Sequence, residues 1–224
     1  MGYTLNKKNI NLDKKFRLNT DSLSDVYMLN RGIAVRVFKE NIDRSLVLSE
    51  YECEFISKLR CDNMLMPKQI LYKNNKYEGY SFRNINKVRK DKIISANKKD
   101  LVADLEMIEE DLDVLSNAYV MLDGITPRNV VYSDGLYITD VSQFKVLNKN
   151  EIDYRDLRKL NDFQIQLLFE SLVAAELKRE RVESKKIKYL LDLIEKRDDN
   201  TKQSRYYEDL FEYSDNIKQF VKRL

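Results

Sequence analysis

Leu122–Phe144 reads LDGITPRNVVYSDGLYITDVSQF, and the organisation of the chain is legible outward from it. Val130-Val131-Tyr132 and Leu136-Tyr137-Ile138 are short apolar runs separated by Ser133-Asp134-Gly135. Two such runs around an Asp-Gly turn predict a hairpin. A hairpin of that length brings its ends together, and at those ends stand Asn129 and Asp140, eleven residues apart. An amide oxygen and a carboxylate converging on one point are hard oxygen ligands of the kind Mg²⁺ takes.

Upstream of this stretch the pattern is strand-like. Phe16-Arg17-Leu18 and Val26-Tyr27-Met28-Leu29 are short strand candidates, Asn30-Arg31-Gly32 is a turn, and Ile33–Phe38 alternates as a strand. Leu46–Leu59 has apolar residues at helical spacing and predicts the one helix of this half. Gln69–Tyr72 and Tyr77–Phe82 predict two more strands around an Asn-Asn turn. After Lys87 the pattern changes. Leu101, Leu105, Ile108, Leu112 and Leu115 step as an amphipathic helix, and beyond Asp156 helices are predicted over about Leu157–Arg181, Lys185–Lys196 and Tyr206–Lys222. A hinge between the halves is expected near Tyr80–Lys87.

Composition narrows the chemistry. The 224 residues are 43% hydrophobic, enough for one large domain or two small lobes. Forty basic residues against 37 acidic ones give a net charge of +3, without the basic excess of a dedicated nucleic-acid-binding domain. There is no histidine, which excludes histidine triads, histidine general bases and histidine-ligated zinc within the chain. Cys53 and Cys61 are too few for a disulfide framework and read as reduced residues of a cytoplasmic protein. No apolar run approaches the length of about 20 residues that spans a bilayer, and MGYTLNKKNI has neither a signal-peptide core nor a myristoylation signal, so no membrane partner is expected. The aromatic C-terminal stretch (Tyr206, Tyr207, Tyr213, Phe220) reads as core or as a docking stripe.

Four features, in this order along the chain, resemble a compact, bacterial-type member of the protein-kinase-like superfamily, over about residues 14 to 180. Ile33-Ala34-Val35-Arg36-Val37-Phe38 resembles the kinase third strand. Ala34 and Arg36 lie on one face of it, where a small residue leaves room for adenine and a basic one reaches the phosphates. Glu52, in ECEFISKL, resembles the helix glutamate that pairs with that basic residue, with Glu50 as the competing candidate. Leu122–Asn129 aligns with the catalytic loop and ends on its metal-binding asparagine, Asn129. Asp140-Val141-Ser142 stands where the metal-binding Asp-Phe-Gly stands.

The resemblance implies an α+β, two-lobed protein-kinase-like fold. The N-lobe (1–86) would be a small antiparallel sheet with one helix, and the C-lobe (87–224) mostly helical with the 129–140 hairpin. It implies ATP and Mg²⁺ as cofactors. Ala34, Arg36 and Glu52 would serve the nucleotide, Asn129 and Asp140 the metal, and Asp123 and Arg36 catalysis. The γ-phosphoryl group would pass to a hydroxyl, on a protein acceptor. The departures are specific. Gly124 occupies the catalytic aspartate's position, and Asp123, one residue early, is the carboxylate nearby. Arg36 replaces the lysine, and Thr20–Asp25 replaces a glycine-rich loop. They leave open a pseudokinase, a nucleotide-binding or structural module that regulates a partner without transfer, and, outside the family, an interaction protein.

Overall fold

The computed structural model describes residues 3–13, 16–85, 93–198 and 200–224. The chain is α+β. Its strands in order are β1 (Tyr3–Leu5), β2 (Lys8–Ile10), β3 (Arg17–Thr20), β4 (Ser24–Asn30), β5 (Ile33–Phe38), β6 (Gln69–Lys73) and β7 (Lys76–Arg83). These seven form one antiparallel sheet in the order β2-β1-β6-β7-β5-β4-β3. Helix α1 (Glu50–Ile56) lies between β5 and β6 in sequence. The rest comprises α2 (Lys98–Asn117), β8 (Val120–Met121), β9 (Val130–Tyr132), β10 (Leu136–Ile138), β11 (Lys145–Val146), α3 (Tyr154–Arg179), α4 (Ser184–Ile194), α5 (Gln203–Leu210) and α6 (Ile217–Arg223).

The period of β5 decides how the sheet is used. Val35 and Val37 join Leu5 and Leu71 in a small apolar cluster on one face. Ala34 and Phe38 enter the main core on the other, and Arg36 shares their side. That core runs without a break from the sheet through Met64, Leu65 and Ile138 to α2, α3 and the C-terminal helices. Among the described residues no helix is long and apolar enough to cross a membrane.

Several elements differ from the sequence reading. The helix expected over Leu46–Leu59 is shorter, because Ser49 and Glu52 form a reciprocal capping box that starts it at Glu50 and leaves Val47 extended. The single helix expected over Tyr206–Lys222 is two: α5 ends at Leu210, and Asn216 caps α6 by accepting from Gln219 N–H. Strands β1 and β2 were not expected. Asn6 and Lys7 between them have φ of 47° and 62°, the pair of positive angles that suits a tight hairpin. Tyr80 is a buried residue inside β7, and the expected boundary at 86/87 lies outside the described residues.

The candidate hairpin is where the sheet meets the helices. β9 and β10 pair with Leu136 opposite Tyr132 and Ile138 opposite Val130. Ile138 also exchanges backbone bonds with the segment after α1: its N–H donates to Asn63 C=O, and Leu65 N–H donates to Ile138 C=O, both at 2.8 Å. Asp111 on α2 holds that segment in turn, accepting from the N–H groups of Asp62, Asn63 and Met64 at 2.8–3.1 Å.

Candidate functional site

The loop preceding the hairpin is fixed from outside. The buried Asn161 side chain on α3 accepts from Leu122 N–H at 2.9 Å and donates to Val120 C=O at 2.9 Å and Ser116 Oγ at 3.0 Å. Strands β8 and β11 pair on either side of the loop, Met121 opposite Lys145. At the hairpin's open end, Thr139 donates its N–H (2.7 Å) and its hydroxyl (2.9 Å) to Asn129 C=O. These bonds bring Asn129 and Asp140 together, with Asn129 Nδ2 donating to Asp140 Oδ2 at 3.4 Å.

Arg36 reaches the same carboxylate from the sheet. It is 3% exposed, and its Nη1 lies 2.9 Å from Asp140 Oδ2. The same nitrogen donates to Ser24 Oγ at 2.6 Å and lies 3.4 Å from Asp21 Oδ2. Burial disfavours the Arg36 charge, but Tyr80, Asp140 and Asp21 more than offset this and raise its pKa above the ordinary arginine value. Burial also pushes the Tyr80 hydroxyl up, so it stays neutral beside the guanidinium. Arg36 Nε and Tyr80 Oη are both buried and face each other, with no hydrogen bond of good geometry to either atom among the described residues.

In front of this cluster lies a cleft of about 650 Å³. The β3–β4 turn walls it on one side with Thr20, Asp21 and Ser22; Gly124, Asn129 and Asp140 wall the other. Asp21 does not point an unpaired charge into it. Its Oδ1 accepts from the N–H groups of Leu23 (2.8 Å) and Ser24 (2.7 Å), while Oδ2 faces Arg36.

The expected site residues therefore divide. Arg36, Asn129 and Asp140 meet at one point. Glu52 does not join them: one of its oxygens caps α1, and the other accepts from Val146 N–H at 3.3 Å. Glu50 accepts from the Tyr72 hydroxyl. The expected ion pair with Arg36 is thus replaced by the two aspartates. Ala34 is fully buried in the main core, so the space beside it is filled by protein. Asp123 is half-exposed, pairs with Lys145 at 3.3 Å, and is not among the residues lining the cleft. Gly124 adopts φ +65°, and the Gln143 side chain lies where its Cβ would be. That left-handed turn faces Gln143, not Asp123, toward the cleft.

Two features escaped the sequence reading, the contact of Asp21 and Ser24 with Arg36, although their segment was read as the loop over the phosphates, and the role of Asn161. The first had a signal. Asp-x-x-Ser is the pattern of a turn whose aspartate bonds its own backbone. Asn161 had none, since its partners lie about 40 residues away in sequence.

The donor set can be tested against ATP and Mg²⁺. For phosphates the cleft itself offers the Thr20 and Ser22 side chains and Arg128, while the buried Arg36 stands behind Asp21 and Asp140 and is not among the lining residues. For Mg²⁺ the protein offers the Asp140 carboxylate. Asn129 would add its oxygen only after its amide turned, because Oδ1 accepts from Thr126 N–H and Oγ1, each at 2.8 Å. Among the described residues no group of three or more acidic or cysteine side chains is arranged to hold a metal. Phosphates and water would have to supply the remaining ligands, as is usual for Mg²⁺. No protein-family model matches this chain, and no curated protein matches it.

Proposed function

We propose that this chain is a kinase-like domain of two lobes, with an anion-binding cleft that holds the phosphates of ATP with Mg²⁺, and that it acts as a nucleotide-responsive module rather than as a fast phosphotransferase. The observation that carries this reading is the convergence of the buried Arg36, Asp140 and Asn129 behind an open polar cleft. A buried, paired arginine beside a carboxylate is a costly arrangement, and functional sites are where such clusters concentrate. The order of parts along the chain supports the same reading: a basic strand, a helix, two strands, a long helix, a loop and a hairpin.

In this mechanism Asp140 would hold the metal, which neutralises charge on the phosphates when bound. Arg36 would reach the phosphates through Nη1, once the Asp21 turn released it. Asp21 and ligand phosphates are alternatives for the guanidinium, so binding requires the β3–β4 turn to give way. Regulation of a partner would follow from that displacement. Thermal unfolding with ATP, with and without Mg²⁺, tests the reading. Saturation at about 100 times the dissociation constant stabilises by about 2.7 kcal/mol. The shift should need Mg²⁺ and disappear in Asp140→Ala. An unshifted wild-type protein at millimolar ATP·Mg²⁺ would end the nucleotide reading.

The second reading, transfer of the γ-phosphoryl group to a protein hydroxyl, is favoured by the Asn129–Asp140 contact at 3.4 Å. Phosphoryl transfer depends mostly on positioning and charge neutralisation, which survive a weak base. Asp123 is the candidate for that base that the loop's sequence offers, and it must first leave Lys145. Incorporation of labelled phosphate into the protein or an added acceptor, lost in Asp123→Asn, would favour transfer. Incorporation at full rate in Asp123→Asn would remove Asp123 from the mechanism.

A further inference from the structure

We propose that the outward face of α3 is the interface of a two-fold dimer of this chain, with the two copies of α3 packed antiparallel about Leu167. This proposal does not depend on the nucleotide reading. Helix α3 is 26 residues long and buries Leu157, Ile165, Leu168, Phe169 and Val173 against the rest of the molecule. Its opposite side carries three large apolar residues in solvent, Leu160 (36% exposed), Phe163 (51%) and Leu167 (41%). At about 100° per residue these three fall within about 60° of one another, so they form one ridge. The ridge continues through the exposed Ser171 and the half-buried Ala174, whose other side packs against the core, to the exposed Lys178, and begins at Asp156.

The occupant follows from the sequence of the ridge, because it is complementary to its own reverse. A two-fold axis at Leu167 sets residue 167 − n of one copy opposite residue 167 + n of the other. Leu160 then meets Ala174 and Phe163 meets Ser171, a large side chain opposite a small one on either side of the axis, while Leu167 meets its own copy at the axis. At both ends the exposed Asp156 meets the exposed Lys178, an opposite-charge pair. Arg155 and Arg179, which the same axis makes level, point about 120° off the ridge and are not forced together. An interface of this kind is isologous and closes on itself. Interdigitated large and small residues are what lets helices approach to about 8–10 Å. A single helix pair stands at the small end of specific interfaces, so a dimer formed at micromolar concentrations is expected.

Sedimentation of the full chain over concentrations up to about 100 µM should show a monomer–dimer equilibrium. Phe163→Glu should weaken it at least about tenfold, with an unchanged melting temperature because Phe163 is half in solvent. Cysteine cross-linking tests the register in a Cys61→Ser background, Cys53 being buried. Leu167→Cys should form a disulfide dimer under mild oxidation, since only there do identical residues meet. Leu160→Cys should not, because its own counterpart lies about 21 Å away along the helix pair, whereas Leu160→Cys with Ala174→Cys should. A chain that stays monomeric throughout leaves the ridge to a different partner and overturns the proposal. So does a dimer indifferent to Phe163→Glu, or cross-linking of Leu160→Cys as fast as Leu167→Cys.

Discussion

Removing the Asp140 carboxylate should destabilise the fold through Arg36, and by an amount that depends on Asp21. The Arg36 side chain is 4% exposed, and its Nη1 is 2.9 Å from Asp140 and 3.4 Å from Asp21. At an effective dielectric constant of about 20, these contacts correspond to about 6 and about 5 kcal/mol of Coulomb energy before desolvation is subtracted. Most of that is cancelled by the cost of burying the charges, more completely for Asp140 at 15% exposure than for Asp21, whose 37% exposure also screens its attraction. Breaking a buried pair typically costs about 3–5 kcal/mol. With Asp21 still in place, Asp140→Ala should cost about 2–4 kcal/mol and Asp21→Ala about 1 kcal/mol. The double variant leaves a buried guanidinium with only a serine hydroxyl and should cost more than the sum. Arg36→Met in that background should recover most of the loss, because an apolar side chain needs no counter-ion. The chain has no tryptophan and 14 tyrosines, so urea unfolding followed by far-UV circular dichroism is the suitable assay. Additivity of the two alanine variants within about 0.5 kcal/mol, or no recovery by Arg36→Met, would show that the two aspartates do not share one buried charge.

Two further perturbations address the frame around the site. Burial pushes the Asp111 carboxyl up to about 6, against the pull of three backbone N–H groups. With an unfolded value of about 3.9, its protonated form contributes stability that is full below that pH and lost as pH rises through about 6, a loss of about 3 kcal/mol. The urea midpoint should carry this downward slope between about pH 4 and 7, and Asp111→Asn should flatten it; an unchanged slope would refute the assignment. Gly79→Ala should cost more than Gly124→Ala, although an added Cβ meets an atom at 2.0 Å in both. At Gly79 the obstacle is the backbone carbonyl of Arg36, which cannot turn aside, whereas at Gly124 it is the flexible Gln143 side chain. Equal melting temperatures for the two variants would contradict this.

What could be read from sequence was what is local. Residues 130–138 are two short apolar runs around an Asp-Gly turn, and they pair as a hairpin, Leu136 opposite Tyr132. β5 runs over Ile33–Phe38 as its alternation predicts, which is why Ala34 and Arg36 share a face. The stripe from Leu101 to Leu115 is the buried side of α2. What escaped depended on distant partners. The Glu52 assignment rested on the resemblance of its helix, and a three-glutamate helix offers no way to tell a cap from an ion pair; Ser49 and Val146 decided it. Room beside Ala34 was inferred from side-chain size, but a small residue leaves space only if neighbours do not fill it, and here the core closes over it.

The arginine at position 36 explains much of how the site departs from the pattern it resembles. A lysine is a compact point charge that one opposing carboxylate satisfies, whereas a guanidinium presents several donors in a plane and needs several acceptors when buried. Arg36 gathers Ser24, Asp21 and Asp140 around the one nitrogen Nη1, all from the β3–β4 turn, the strand it opens and the hairpin end. Having no call on the helix, it leaves Glu52 free to start α1 and to bond Val146, which ties the helix to β11, while Glu50 ties it to Tyr72 of β6. The consequence is a different route of coupling. A shift of α1 would not disturb the charge on Arg36, but a shift of the β3–β4 turn would expose it. Any ligand that acts through this cleft should therefore change the protection of residues 20–24 more than that of α1, a difference that hydrogen exchange resolves.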